Sequence, residues 1–174
     1  MRDFKKTPDY SPSANPPPSW VFHNLWRIIA FGFGSGLLRP APGTWGTLFA
    51  WLLWVVFLQG RPDTVILAVL VIAFGIGCVA CERTGRALGV SDHGGMVWDE
   101  VVAFWLVLWL TPDMLAAQAV AFVLFRVFDI AKPQPVRYFD ARVRGGFGVM
   151  LDDVFAAAYS LLVMAVLVAL GAFS

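Results

Sequence analysis

Residues 154–173 read VFAAAYSLLVMAVLVALGAF and carry no charge. No other feature of the chain restricts its fold as much. A bilayer span takes about 20 apolar residues, with a range of roughly 17–25. Inside lipid, only a helix or a closed barrel satisfies its own backbone polar groups. The run is rich in alanine, leucine and valine and has no proline, so a transmembrane helix is the direct reading. The rest of the chain agrees. Apolar residues make up 59% of the 174, charged residues 14%, and the mean hydropathy is +0.70. An ordinary soluble domain has roughly 45–50% apolar and about 25% charged residues. A chain this small has too much surface to hide such an excess. The net charge of +1 argues against a nucleic-acid partner.

Other apolar segments precede this run. Residues 64–81 are long enough to span, and 44–59 nearly so. Residues 101–111 and 114–125, separated by Pro112 and Asp113, are short. They read as a tilted hairpin, a re-entrant pair, or helices buried among the others. Residues 20–31 are apolar around Arg27 and suit an interfacial helix, with Trp20 and Trp26 at headgroup level. Residues 1–19 hold prolines at 8, 12, 16, 17 and 18 and read as a mobile polar tail. The expected organisation is that tail followed by a single helical membrane domain over 20–174. The expected fold class is all-α: a multi-pass membrane helical bundle with some short or re-entrant helices.

Charge placement orients the bundle. If each apolar segment crosses once and the tail lies inside, only Arg61 of the 13 basic residues falls outside. That is the asymmetry of the positive-inside rule. The acids follow the same side. Asp63 and Asp113 sit in outer turns, and Asp3 and Asp9 lie in the tail. Glu82, Asp92, Asp99, Glu100, Asp129, Asp140, Asp152 and Asp153 all fall at or near the inner ends of apolar segments. A surface facing anionic headgroups does not favour acids, so the cluster points to a bound cation or a functional partner.

Asp99 and Glu100 open the third segment, Asp152 and Asp153 open the fifth, and Asp129 and Lys132 close the fourth. Where these ends meet, carboxylates converge at the membrane surface. Hard cations such as Mg²⁺ take such oxygen ligands together with water and substrate phosphate, and acidic pairs suit bridging between two metals. The competing explanation is helix capping, since acids favour a first turn. Asp129 lies near a helix C-terminus, where the dipole opposes it, and Arg126 at three residues offers an ion pair.

Two glycine-rich stretches, FGFGSGLLRPAPGTWGT over 31–47 and RGGFGVMLDD over 144–153, allow close backbone approach to a ligand or tight helix packing. Neither is a P-loop or a dinucleotide fingerprint. Other chemistries lack their residues. His23 and His93 do not give a histidine phosphatase pair. Cys81 to Arg86 is one residue short of the cysteine-phosphatase loop. The Cys78–Cys81 pair lies in an apolar run without further metal ligands, and no G-x-S-x-G elbow is present. A small transporter or ion-coupled membrane protein using clustered carboxylates is the alternative function. It would place its acids near mid-span and show internal repeats, and neither is seen.

The blocks GFGSGLLRPAPGTWGT, GGMVWDEVVAFW, FRVFDIAKPQPVRYFD and GGFGVMLDDVFAA, in this order, resemble the phosphatidylglycerophosphatase A family. The resemblance runs from about residue 31 to 160. It implies a bacterial inner-membrane, Mg²⁺-dependent phosphatase with its site facing the cytoplasm. Its substrate would be a phospholipid in the bilayer, phosphatidylglycerophosphate, hydrolysed to phosphatidylglycerol and phosphate. On that basis Asp99, Glu100, Asp152 and Asp153 are the expected metal ligands, Asp129, Lys132 and Asp99 the catalytic set, and Asp129 is either a further ligand or the base that orients water. Lys132, Arg39, Arg137 and Thr44 are the expected substrate-binding residues.

Overall fold

A computed structural model describes residues 16–131 and 145–173, and the described residues form helices and turns with no strand. In chain order these are α1 (Pro18–Phe22), α2 (Leu25–Ala30), a 3-10 stretch (Gly32–Leu37), α3 (Pro42–Leu53), α4 (Asp63–Leu88), α5 (Trp98–Trp109), α6 (Leu115–Ala131) and α7 (Gly146–Ala169). A π-helical turn, Trp54–Leu58, continues α3.

Local chemistry explains where these bounds depart from the apolar segments. Pro18 opens α1 at a first helical position, where its missing N–H costs nothing. The single interfacial helix expected over 20–31 is two, because Asn24 caps α2 and accepts the Trp26 N–H at 3.0 Å. Helix α4 outruns its apolar core, carries Glu82, Arg83 and Arg86, and stops at Gly89. The φ of 73° there suits glycine. Helix α7 begins at Gly146, well before the apolar run at 154. A Cβ on Gly146 would lie 1.9 Å from the Cys78 carbonyl oxygen, so the missing side chain lets α7 start against the α4 backbone. The glycines over 144–153 thus serve helix packing here.

Helix α5 is the centre of the bundle. Nine of its residues, from Trp98 to Leu108, are buried, and α3, α4, α6 and α7 pack around it. Its 12 residues rise only about 18 Å, less than a bilayer core. Of the three arrangements open for 101–125, α5 takes the buried one. Its indoles bury with their donors satisfied: Trp98 Nε1 donates to the Ala73 carbonyl at 3.0 Å and Trp105 Nε1 to the Ala50 carbonyl at 2.9 Å.

The outward faces are apolar. Phe57, Val71, Ile130 and Leu162 are each more than 60% exposed. Helices α4 and α7 are long and apolar enough to cross a membrane. Polar side chains gather at the two ends. At one end Asp113 accepts from Gln59 and from Gln118 (3.3 Å), and Trp109 Nε1 donates to Asp63 at 2.9 Å. At the other end lie the carboxylates.

Candidate active site

Three helix ends meet where the acids were expected to converge. The first turn of α5 supplies Glu100, the last turns of α6 supply Arg126 and Asp129, and the second turn of α7 supplies Asp153. One carboxylate oxygen from each of Glu100, Asp129 and Asp153 lies within 4.8 Å of the others. Arg126 holds two of them: its Nη1 lies 3.0 Å from Glu100 Oε1 and 2.8 Å from Asp129 Oδ2. The same nitrogen donates to Thr47 Oγ1 at 3.4 Å, and that hydroxyl donates to the Gly43 carbonyl at 2.8 Å.

Helix α3 makes room for this group with glycine. A Cβ on Gly43 would lie 2.1 Å from Glu100 Oε1 and 2.7 Å from Arg126 Nη2, and one on Gly46 would lie 3.0 Å from Glu100 Oε2. Gly43, Gly46 and Thr47, at spacings of three and four, form one helix face. That spacing was the available signal for a role in the site, and sequence reasoning passed over it. It also read Arg126 only as a partner of Asp129, not as a bridge to Glu100.

The expected ligands divide. Glu100 and Asp153 gather with Asp129. Asp99 and Asp152, each 7% exposed, are buried on the same two helices but are not members of that group. Successive helical residues diverge by about 100°, so each acidic pair sends its members to different neighbours. Asp152 and Asp153 lie a turn inside α7, so neither caps it. The cap comes from Glu82, whose Oε2 accepts the Gly146 N–H at 2.8 Å while Oε1 pairs with Arg86 Nε at 2.6 Å. Thr44 is half-buried in the first turn of α3, and Arg39 is exposed in the connection before it. Lys132 and Arg137 lie outside the described residues. His93 is buried, and its Nδ1 accepts the Gly95 N–H at 3.1 Å, a turn-forming contact.

Among the described residues, three carboxylates face one guanidinium. Asp99 and Glu100 precede the apolar stretch that begins at Val101. Burial drives the Asp99 carboxyl well above the usual carboxylate range, with Asp92 and Glu100 adding to the effect. Burial also raises Glu100 to about 8, against the opposing pull of Arg126. Buried oxygens Glu100 Oε2 and Asp99 Oδ1 accept no hydrogen bond among the described residues, which costs free energy unless a cation or donor meets them. An all-oxygen donor set of this kind fits a hard divalent cation such as Mg²⁺.

The chain is similar to known proteins over most of its length. A sequence model of the phosphatidylglycerophosphatase A family matches residues 28–168, which include every residue of the carboxylate group. A Haemophilus influenzae protein named phosphatidylglycerophosphatase A is 44% identical over 151 residues, covering 86% of this chain and 93% of its own length. An Escherichia coli K12 protein of the same name is 41% identical over 138 residues, covering 79% and 80%. A Bacteroides thetaiotaomicron protein, 38% identical over 145 residues and covering 80% and 91%, bears a provisional name as a phosphatidylinositol-3-phosphatase. No solved structure gives a match.

Proposed function

The chain belongs to the phosphatidylglycerophosphatase A family, and from that premise we propose how its geometry serves the reaction. It is a phosphatase acting on phosphatidylglycerophosphate, releasing phosphate and leaving phosphatidylglycerol. In our reading Glu100, Asp129 and Asp153 hold Mg²⁺, and Asp99 and Asp152 stand by as further carboxylates of the same two helices. The observation that carries this reading is the approach of three carboxylates within 4.8 Å around a single arginine. When bound, Mg²⁺ would neutralise phosphate oxygens and lower the pKa of an attacking water.

The chain's own residues supply the rest. Arg126 fixes the rotamers of Glu100 and Asp129, so their remaining lone pairs point to a constant position. Asp129, on the last turn of α6, serves as a ligand in this reading, and Asp99, the other carboxylate of the expected catalytic set, receives the proton of the attacking water. Lys132, three residues beyond Asp129 in the sequence, neutralises the phosphomonoester, and Arg39 and Arg137 offer planar forks for its oxygens. Thr44 offers a hydroxyl at the start of α3.

We further propose a multi-pass arrangement in the bacterial inner membrane with the carboxylates on the cytoplasmic side. The support is the basic asymmetry of the sequence, the two spanning-length helices and the exposed aliphatic faces. The transporter reading is not favoured, since the clustered carboxylates sit at one end of the bundle and not at mid-span.

Phosphate release by the purified protein tests this function. The substrates are phosphatidylglycerophosphate, phosphatidic acid, phosphatidylinositol 3-phosphate and glycerol phosphate, each with Mg²⁺ or with chelator. The expected result is release that favours phosphatidylglycerophosphate and stops with chelator. No release from that lipid overturns the phosphatase reading, and equal release in chelator overturns the Mg²⁺ reading.

A further inference from the structure

Between α4 and α7, with α5 as its floor, runs an apolar groove of about 240 Å³. Its rim residues Leu67 and Val71 are 50% and 64% exposed, whereas its floor residues Val102 and Ala103 are buried. The α4 wall from Leu67 to Phe74 extends it along the helix axis for about 10 Å. Val102 lies two residues along α5 from Glu100 and Val154 one along α7 from Asp153, so one end of the groove is level with the carboxylates, on the α4 side of α5, while Glu100 turns to the α3 and α6 side. The other end meets Trp109, whose indole is anchored on Asp63.

The groove therefore starts at the reactive end of the bundle and runs away from it, open on the face that meets lipid. A phosphatase substrate with two acyl chains has matching geometry: when its phosphate meets the carboxylates, its chains must run along the helices toward the far end. We propose that this groove takes one acyl chain of the lipid substrate, an inference that rests on the function proposed above. Transfer from bilayer to groove exchanges hydrocarbon for hydrocarbon, so little hydrophobic free energy is gained. The contribution is alignment: a seated chain sets the height and rotation of the headgroup, and small displacements of a reacting group slow turnover strongly. Nothing in the groove reads the headgroup.

Filling the rim tests the proposal. Leu67→Trp and Val71→Trp place an indole over the groove from exposed positions, and Val123→Trp on α6, 58% exposed, is the control. Steady-state phosphate release is measured with dioleoyl and with dibutyryl phosphatidylglycerophosphate in the same detergent. The expected result is a kcat for the dioleoyl lipid lowered about tenfold, roughly 1.4 kcal/mol of lost alignment, in both groove variants. The dibutyryl lipid and the control variant should behave as wild type. Equal losses on both lipids, no loss on either, or the same loss in the control overturns the proposal. A wild type inactive on both lipids instead overturns the phosphatase reading. Should the tryptophan variants not fold, the wild type is photolabelled with phosphatidylglycerophosphate bearing a diazirine in one acyl chain. Labelling concentrated on 67–74 and 102–106 supports the groove, and labelling spread evenly over the exposed face of α6 overturns it.

Discussion

Arg126 and Glu100 form a 3.0 Å ion pair in which each side chain is only 13% exposed, and the same Arg126 nitrogen pairs with Asp129 at 2.8 Å. One cation thus holds carboxylates from two helices in place. Removing it leaves buried charges unbalanced, a change that costs about 3–5 kcal/mol in comparable pairs. Arg126→Ala should lower the thermal unfolding midpoint in chelator, and Mg²⁺ should recover part of the loss. Unfolding scans in detergent with and without Mg²⁺ check this. An unshifted midpoint in chelator would remove Arg126 from its organising role.

Gly43→Ala separates site geometry from helix propensity. Alanine favours a helix interior by about 1 kcal/mol over glycine, but its Cβ would lie 2.1 Å from Glu100 Oε1. Glu100 must move, and displacement of about 1 Å near reacting groups costs up to roughly 100-fold in rate. The expected variant folds and loses most of its turnover. Retained turnover would show that Glu100 has slack and that its position is not critical.

Glu82 distinguishes a cap from a ligand. It accepts the Gly146 N–H at the start of α7 and pairs with Arg86, away from the group of Glu100, Asp129 and Asp153. Glu82→Gln should keep most activity and the same Mg²⁺ requirement, with a stability loss near 1 kcal/mol, as for other helix caps. A changed Mg²⁺ requirement would place Glu82 in the cation site instead.

The convergence of the acids was legible in the sequence because all lie at the ends of apolar segments, and the Arg126–Asp129 pair because of its spacing of three. Which member of each acidic pair would join the group was not legible. Asp99 and Glu100 are equivalent in composition, and only the packing of α5 decides that Glu100 faces Gly43 and Arg126. The depth of α5 was equally hidden, since the 11-residue apolar run 101–111 reads alike as a buried helix or a short membrane segment. The start of α7 was missed because glycines at 145, 146 and 148 argue locally against a helix, while contact with the α4 backbone requires the absence of a side chain at Gly146.

Orientation is open to direct labelling. Ser91 is exposed at the carboxylate end, after α4, and Arg61 at the opposite end, before it. In intact cells an impermeant thiol reagent should modify Arg61→Cys rapidly and spare Ser91→Cys, and inverted vesicles should show the reverse. Rapid labelling of Ser91→Cys from outside would invert the proposed topology.

The central claim is that Glu100, Asp129 and Asp153 bind the cation on which hydrolysis of phosphatidylglycerophosphate depends. Mg²⁺ titration calorimetry on the wild type and on Asp153→Asn, with turnover measured on the same samples, tests it most directly. The account predicts saturable binding by the wild type. In Asp153→Asn it predicts affinity weakened at least about 10–100-fold, the range seen even for outer-shell partners of a metal, with turnover falling in parallel and the fold intact. Wild-type Mg²⁺ affinity and turnover in a folded Asp153→Asn protein would contradict it.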